Sequence, residues 1–396
     1  MAPESKDVAG CIIKVDKKIL VKSSINSRGT GSDDKEPTVY MERVNVSQRV
    51  DSPDMFEFEI LIREDDKIVI LDDIKEGEHV EILLGEVDNE KTVLHGEILY
   101  IEPAFKREGT STVVVRGYDK SHRLTRGVNY RTWGDGSRLS NLYPSVVQDV
   151  VSNAGSVDGT SDGLKPQKVD PTEAKFSYLP QYSMSDYVFL KTLAKRGDKK
   201  IDASTLNDDS QVSFYKLDVT QDTNATLSLV RHSIVSDGQI RVNNARFYMS
   251  TMRQYKKVVV RGWDPNRKKN IIGKAEESEY HFPGTSGWEA TSQALYGKDS
   301  DGKELIVVDR PVETQEEATS IAQAIFNQLS MEFVTGEITL KGTPDVKAGD
   351  IVELLDFGKR FSGKYLVVDC IHTMIPKVLP YTTKLRIARN TIGTGN

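Results

Sequence analysis

The residues that most often carry catalysis or bind metals are scattered through this sequence. Its six histidines show neither an HExxH pattern nor another ligand spacing, and no GxSxG turn or GxxxxGK[ST] loop occurs. The run Gly134–Arg138 is only a glycine-rich loop. The acidic run Asp299–Glu304 resembles part of a calcium loop, but it lacks the third carboxylate position and the closing glutamate of an EF-hand. We therefore expect no catalytic residue, no metal site and no cofactor.

The two cysteines and one basic stretch are the remaining chemical candidates. Cys11 and Cys370 have no CxxC partner, and we expect both to be reduced thiols. The stretch Arg253–Lys269 holds seven basic residues against the single Asp264. It fits either a solvated edge strand protected by lysines or a docking surface for an acidic neighbour. No recognition helix or aromatic interleaving accompanies these charges, so specific nucleic acid binding is not expected.

Composition indicates an ordinary folded protein with several packed units. The 396 residues exceed one typical domain, and 59 acidic against 53 basic residues give a net charge of -6. This charge does not favour nucleic acid or an anionic membrane. The first 14 residues carry no secretory signal, and no stretch is apolar enough to span a membrane. We expect a chain that is made in the bacterial cytoplasm.

Turn residues and strand-like runs divide the chain into five segments. The polar start is expected to be an extension, and strand-rich patterns at both ends of the remainder predict small antiparallel β-barrels. The predicted segments are an N-terminal extension (1–37), a first β-barrel (38–122), a helix-containing insert (123–250), a connecting β segment (251–310) and a second β-barrel with its leading helix (311–396).

Three helices are predicted from caps and apolar spacing. Tyr143–Gly155 has proline near its start and glycine at its end, and Ser185–Arg196 has a serine cap and is followed by glycine. Thr314 begins a capping box with Glu317, and apolar residues follow along one face of the helix. The fold class is therefore α+β and β-rich.

The two strand-rich ends resemble each other. Gly77–Leu84 aligns with Gly349–Asp356, the strands that contain Gly96 and Gly363 align next, and Ser111–Arg116 then aligns with Thr382–Ile387. Separately, the sequence of Val113–Asp119 recurs almost unchanged 145 residues later. The chain is predicted to hold two similar barrels. Ile98–Ile101 and Tyr365–Val368 are apolar on both faces, so another domain or a second subunit should cover them.

An ordered set of motifs resembles the phage late control D family of tail hub proteins, relatives of the hub part of type VI valine-glycine repeat spike proteins. The motifs are Val115–Leu124, Ser185–Ala194, Val260–Pro265, Gly342–Asp350 and Phe361–Val368. The resemblance covers residues from about 39 to about 390 and implies a homotrimer whose paired barrels form a ring with pseudo-sixfold symmetry. Such a ring would adapt a sixfold tail tube to a threefold spike in a phage virion or injection particle.

The resemblance makes the tail tube protein, the spike protein and other baseplate subunits the expected partners, and no enzymatic activity is implied. The candidate assembly residues are Gly96, Ile98, Tyr100, Gly117, Tyr118, Asp119, Gly262, Trp263, Asp264, Gly349, Gly363 and Tyr365. Two alternatives remain. One is a tail-tip cell-wall glycan hydrolase or glycan-binding module, because a carboxylate pair is defined by separation in space. The other is an effector-carrying spike, for which no toxin domain is evident.

Overall fold

The computed structural model describes most of the chain, and the structural statements below concern that part. The described residues are 9–24, 39–62, 74–108, 110–136, 141–154, 163–172, 175–203, 211–219, 224–231, 238–264, 267–295, 303–376 and 379–393. Several predicted features lie outside them: residues 1–8 and 25–37 of the extension, Ser137 and Arg138 of the glycine-rich loop, and Asp299–Gly302 of the acidic run.

The described chain is rich in β-structure, as predicted, and holds few helices. Its strands are β1 (Ala9–Val15), β2 (Lys18–Ser24), β3 (Val39–Arg49), β4 (Ser52–Ile62), β5 (His79–Glu86), β6 (Asn89–Ala104), β7 (Ser111–Tyr118), β8 (Asn129–Trp133), β9 (Asn141–Leu142), β10 (Lys165–Val169), β11 (Lys175–Phe176), β12 (Leu179–Met184), β13 (Lys200–Ala203), β14 (Gln211–Tyr215), β15 (Leu227–Val230), β16 (Gln239–Met249), β17 (Lys257–Asp264), β18 (Lys269–Ala275), β19 (Thr285–Ser286), β20 (Glu304–Val307), β21 (Val334–Lys341), β22 (Ile351–Leu355), β23 (Gly363–Ile375), β24 (Leu379–Arg389) and β25 (Thr391–Ile392). The helices are a 3₁₀ helix (Lys120–Thr125), α1 (Tyr143–Asn153), α2 (Asp186–Arg196), α3 (Gly287–Leu295), α4 (Gln315–Ser330) and α5 (Gly358–Phe361).

One 13-stranded sheet forms the framework and divides into two halves. Its first half has the strand order β2-β1-β5-β6-β7-β4-β3. Its second half is a closed six-stranded ring, because β23 pairs with both β22 and β24 while β15, β16 and β21 complete the circuit. The two halves join where β3 pairs with β23, from Arg49 opposite Asp369 to Val44 opposite Met374.

The two halves repeat the same strand order. Hydrogen-bonded neighbours run β5-β6-β7-β4-β3 in the first half and β22-β23-β24-β21-β16 in the second. Each series is a three-stranded meander followed by two earlier strands of the same half. Gly96 lies in β6 and Gly363 begins β23, so the segments aligned by sequence occupy the same place in the two series.

The N-terminal segment differs from the expected free extension, because residues 9–24 form β1 and β2. Strand β1 pairs with β5 along its whole length. Its alternate residues Cys11, Ile13 and Val15 are buried in the core of the first half, together with Val21 of β2. This alternation of apolar and polar residues spans only seven residues of a polar segment. It is nevertheless enough to bury one face of β1 in the core. Cα atoms of β2 and β3, the two end strands of the first half, come within 8 Å of each other, so this half is rolled.

The helix predictions at Ser185 and Thr314 are confirmed. The Ser185 side chain accepts a hydrogen bond from the Val188 amide, and the Thr314 side chain accepts one from the Glu317 amide. Helix α4, however, does not pack on the ring that follows it. Its apolar face, which includes Ala318 and Ile321, packs on the separate sheet β18-β17-β20.

The second half also draws strands from the predicted insert. Strands β15 and β16 lie within residues 123–250, yet they complete the ring. The ring therefore begins well before residue 311, and helix α4 belongs to a unit inserted between β16 and β21. The remaining part of the first insert packs around helices α1 and α2 with its own apolar core.

A buried histidine lies where the two halves join. His372 of β23 pairs with Val46 of β3 and is 1% exposed. Its Nδ1 atom is 2.8 Å from the Tyr381 hydroxyl oxygen, and its Nε2 atom is 3.3 Å from the Cys370 sulfur. Burial lowers the pKa of His372 to about 4.

Acidification is expected to weaken this junction. In the unfolded chain the histidine is protonated below a pH of about 6.5. In the folded protein it stays neutral until the pH approaches its lowered pKa of about 4. The free energy of unfolding should therefore fall as the pH drops, by about 2 kcal/mol from this group between neutral pH and a pH two units lower. Urea unfolding at both pH values measures the effect. A His372→Leu variant should show a correspondingly smaller pH dependence, and an unchanged dependence would contradict the assignment.

Candidate assembly surface

The outer side of β6 and β7 carries an exposed aromatic and apolar patch. Tyr100 is 48% exposed, and Leu99 and Tyr118 are also exposed. The guanidinium carbon of Arg116 lies 5.1 Å from the centroid of the Tyr100 ring, and its Nη1 donates to Glu102 at 3.2 Å. A second acceptor, Glu57, holds the Nε atom of Arg116. The Arg116 guanidinium thus holds one face of the Tyr100 ring, and the ring stays exposed to solvent.

Two glycines allow β6 and β7 to approach the core of the first half. A Cβ atom on Gly117 would lie 2.0 Å from the Glu97 carbonyl oxygen and 2.5 Å from the Phe56 ring. A Cβ atom on Gly96 would lie 2.7 Å from the Tyr118 carbonyl oxygen. Ile98 is fully buried in the same core. Gly96, Ile98 and Gly117 therefore act in packing, and they support the patch without being part of its surface.

Asp119, the last residue of the Val113–Asp119 motif, is the N-cap of the 3₁₀ helix. Its side chain accepts a hydrogen bond from the Ser121 amide at 2.7 Å. The helix brings Arg123 to the buried carboxylate of Glu97, where the Arg123 Nε donates at 3.0 Å. Burial lowers the pKa of the neighbouring His122. Glu97 and Arg123 were not among the residues predicted from the sequence, although a carboxylate directly before the apolar run Ile98–Ile101 is a sign of a buried ion pair.

The second copy of the motif lies in a different sheet. In β17, Val258, Val260 and Gly262 face α4, and a Cβ atom on Gly262 would lie 2.3 Å from a Val312 methyl group. Trp263, on the opposite face, is 55% exposed. Asp264 accepts a hydrogen bond from the Arg267 amide at 3.0 Å and so closes the β17–β18 turn.

The outer face of the β18-β17-β20 sheet is both basic and apolar. Arg261 of β17 is paired with Ile272 of β18. Val259 of β17 is paired with Lys274 of β18 on one side and with Ile306 of β20 on the other. Within the described chain, Arg261 and Lys274 form no ion pair. Arg261 was among the charges predicted from the sequence, but Lys274 and the apolar residues were not, because the strand alternation becomes clear only once the register is known.

The glycines and tyrosine of the second half lie at the ring. Gly349 has a φ of +94° and donates its amide to the Val367 carbonyl at 2.8 Å. Gly363 has a φ of +122°, and a Cβ atom there would lie 2.7 Å from the Arg389 Nη1. Tyr365 is buried inside the ring, with the Arg389 guanidinium 5.4 Å from its ring centroid. These residues shape the ring, in which Tyr365 is buried and the two glycines are half-buried.

The second apolar strand is covered by the chain itself. Leu366 of β23 packs with Leu217, Val219, Tyr280 and Phe282, which all lie outside the ring strands. The corresponding Leu99 and Tyr100 of β6 remain exposed. The candidate residues thus fall in three places, and only Tyr100, Tyr118 and Trp263 present exposed apolar surface.

Within the described residues, neither a grouped set of metal ligands nor a membrane-spanning helix is found. In that part of the chain, histidine, cysteine and acidic side chains do not gather in threes around any point suited to a metal ion. No described helix combines the length and the apolar character needed to cross a membrane.

The fold is shared with tail proteins of known structure. The prophage MuSo2 43 kDa tail protein from Shewanella oneidensis has a TM-score of 0.64 at 14% identity, with 96% of this chain and 98% of that chain covered. The tail protein from Neisseria meningitidis MC58 has a TM-score of 0.62 at 12% identity, with 96% and 97% covered. The Escherichia coli c3393 protein, a type VI secretion system component described as similar to the T4 tail proteins gp27 and gp5, has a TM-score of 0.54 at 10% identity, with 97% and 79% covered.

At the level of sequence, the chain belongs to the Alg8 N-terminal domain family, whose model matches residues 63–375. No curated protein matches the chain by sequence search. Because the structural similarities are well below 25% identity, they establish the fold alone.

Proposed function

We propose that this chain is a structural hub subunit at the base of a contractile tail or contractile injection machine, in the manner of the late control D family. It would act by matching symmetries and not by catalysis. The observation that carries the proposal is the repeated strand order of the two halves within one chain. Three copies would present six similar sheets, and these can face a sixfold tube on one side and a threefold spike on the other.

Each half would act as one barrel of the ring. The second half is already closed, and the first half is rolled with β2 close to β3. The pairing of β3 with β23 holds the two halves in a fixed relation. A fixed relation is needed, because flexible halves would not repeat around a ring with constant spacing. The full-length similarity to two tail proteins and to a type VI component supports the same assignment.

The patch formed by Leu99, Tyr100 and Tyr118 is the proposed contact between copies. Among the described residues, its counterpart in the second half is covered by the chain itself, whereas this patch stays exposed. A threefold ring joins two different surfaces at each contact, and obligate interfaces commonly bury more than about 2,000 Å².

The double variant Leu99→Ser, Tyr100→Ser is expected to lose the trimer. In the unmodified protein, light scattering at micromolar concentration should give three times the chain mass of 44.3 kDa. The variant should shift toward the monomer mass, because polar side chains remove the apolar centre of the contact. Val188→Ser, on the exposed side of α2, is the control and should leave the mass unchanged. A monomeric unmodified protein would contradict the hub assignment itself.

The basic face of the β18-β17-β20 sheet is the proposed contact for an acidic neighbouring subunit. Arg261 and Lys274 point outward beside Trp263, and aromatic and arginine residues are enriched at protein interfaces. Co-purification of assembled particles tests this contact. The charge reversals Arg261→Glu and Lys274→Glu should release a neighbouring subunit while the trimer persists, and retention of every neighbour would contradict it.

The particle itself would be assembled in the bacterial cytoplasm and form part of a virion or an injection machine. Particle images that show tube and spike proteins bound to opposite ends of the trimer would support the hub role directly. A glycan hydrolase is the rival from another class. Release of soluble sugars from purified cell wall by the isolated protein would favour this rival over the hub.

A further inference from the structure

A cavity of about 370 Å³ lies between the unit inserted into the second half and the ring. Its walls come from the start of β17, from the loop after β18, from the start of α3 and from the last turns of α4. Asn390, which directly follows β24 of the ring, also lines the cavity. This volume is within the range of small-molecule and side-chain binding sites, roughly 300–1,000 Å³.

The polar wall of the cavity is acidic. Glu276, Glu277 and Glu289 line it, and its lining contains neither lysine nor arginine. Glu276 is partly compensated, because its carboxylate lies 3.8 Å from the Lys257 Nζ. Glu289 accepts hydrogen bonds from the amide and hydroxyl of Ser286 at 3.1 and 3.0 Å, and it remains a carboxylate without a cation. The Glu277 carboxylate has no hydrogen bond or ion pair with any described residue. The cavity therefore attracts a positive charge.

Aromatic rings form much of the remaining wall. Tyr255, Trp288 and Phe326 line the cavity, and the faces of such rings attract cations. The chain itself provides an example outside the lining, because the Lys303 Nζ lies 4.5 Å from the centroid of the Tyr255 ring. A wall that combines carboxylates with aromatic rings suits an organic cation with an apolar stem.

One buried acceptor in the wall lacks a donor. Asn390 is 4% exposed, and its Nδ2 donates to the Tyr280 carbonyl at 2.7 Å. Its Oδ1 has no hydrogen-bond partner, which is uncommon for a buried side-chain oxygen. An N–H donor is the partner that this oxygen lacks.

These features favour a guanidinium group over a metal ion. The three carboxylates do not form a cluster that could hold a metal, and the cavity is far larger than a bare ion needs. A guanidinium presents five donors in one plane and can stack on an aromatic face. A lysine ammonium carries the positive charge but lacks the planar arrangement of donors.

We infer that this cavity binds an arginine side chain carried on an extended segment of a neighbouring protein. The inference relies on the proposed function only for the source of that segment. In a hub, the neighbour would be another subunit of the assembly, and the arginine would anchor it beside the ring.

Calorimetric titration of the full chain with short blocked peptides tests the inference. The probe is acetyl-Gly-Arg-Gly-amide, and the control peptide replaces arginine with citrulline, which has a similar shape but no charge. The arginine peptide should bind and the citrulline peptide should bind about tenfold more weakly or less, as expected for hydrogen bonds to charged groups. A lysine peptide that binds as tightly as the arginine peptide would overturn the preference for guanidinium.

Glu277→Gln is the informative variant, because it removes one charge from the wall and no described contact. It should weaken binding of the arginine peptide about tenfold, whereas Glu42→Gln, an exposed carboxylate on β3, should not. Thermal unfolding of both variants checks that each remains folded. No heat of binding at millimolar peptide, or equal affinity in both variants, would overturn the inference. The titration does not require a trimer, so failure of the cavity and failure of the hub assignment give separate results.

Discussion

Replacing Gly117 with alanine is expected to lower the free energy of unfolding by about 3 kcal/mol, whereas the same change at Gly262 should cost about 1 kcal/mol. Both glycines follow the same Val-Val-Val-Arg sequence. At Gly117, a new methyl group would meet the Glu97 carbonyl oxygen and the Phe56 ring at 2.0 and 2.5 Å, and neither can move without shifting strands. At Gly262, it would meet a Val312 methyl group, and its nearest backbone atom would be 3.6 Å away.

Urea unfolding of the two variants measures this difference. Gly163→Ala is the matched control, because a Cβ atom there would be no closer than 3.7 Å to its neighbours. It should leave the unfolding midpoint within the range of surface substitutions, about 0.5 kcal/mol. Equal losses at Gly117 and Gly262 would show that the strands adjust more freely than the interatomic distances indicate. The hub assignment would be unaffected, because the prediction concerns packing alone.

The two glycines also illustrate the limit of sequence comparison in this chain. The near-identity of Val113–Asp119 and Val258–Asp264 correctly predicts that both are strands with one face buried. It does not reveal that the first belongs to the large sheet and the second to the inserted sheet. The strand equivalent to β7 in the repeated order is β24, as the separate alignment of Ser111–Arg116 with Thr382–Ile387 predicts. Local sequence records the environment of a strand, whereas its place in the sheet is set by long-range pairing.

Local signals predicted the helices well for the same reason. A capping side chain and an apolar stripe act within a few residues, so the sequence of α4 specifies both its start and its buried face. The surface against which that face packs lies far away in the chain. Closure of the ring through β15 joins Leu227 with Val352, over a separation that no local pattern encodes. The boundary predicted near residue 311 falls inside the inserted unit for this reason, whereas the boundary predicted at residue 250 coincides with the end of β16.

The β1 and β2 strands show how composition can mislead. Residues 1–37 are polar on average, and an average conceals a seven-residue strand whose alternate side chains are buried. Alternation at Cys11, Ile13 and Val15 was the available signal. Arg389 had a comparable signal, since it continues the inward series of Leu385 and Ile387 in β24. A charged residue at an inward position indicates a buried contact with a specific role.

Arg389→Met is expected to lower the free energy of unfolding by about 4 kcal/mol, because it leaves several buried oxygens without donors. Arg389 is 2% exposed, and it donates to the Ser362 carbonyl at 2.8 Å, the Pro283 carbonyl at 2.6 Å and the Thr391 hydroxyl at 2.9 Å. Methionine fills a similar volume, so the loss reports the hydrogen bonds more than a cavity.

The position of these three acceptors makes Arg389 a link between units. Pro283 belongs to the inserted unit, Ser362 precedes β23 of the ring, and Thr391 begins β25. Lys384→Met in the same strand is the control, because Lys384 is exposed and pairs with the exposed Glu337 at 3.1 Å. This control substitution should lower the free energy of unfolding by less than about 1 kcal/mol. Urea unfolding with separate probes of the ring and of the inserted unit would test the link further. In Arg389→Met the two transitions should separate, and a single transition at the unmodified midpoint would mean that other contacts hold the inserted unit to the ring.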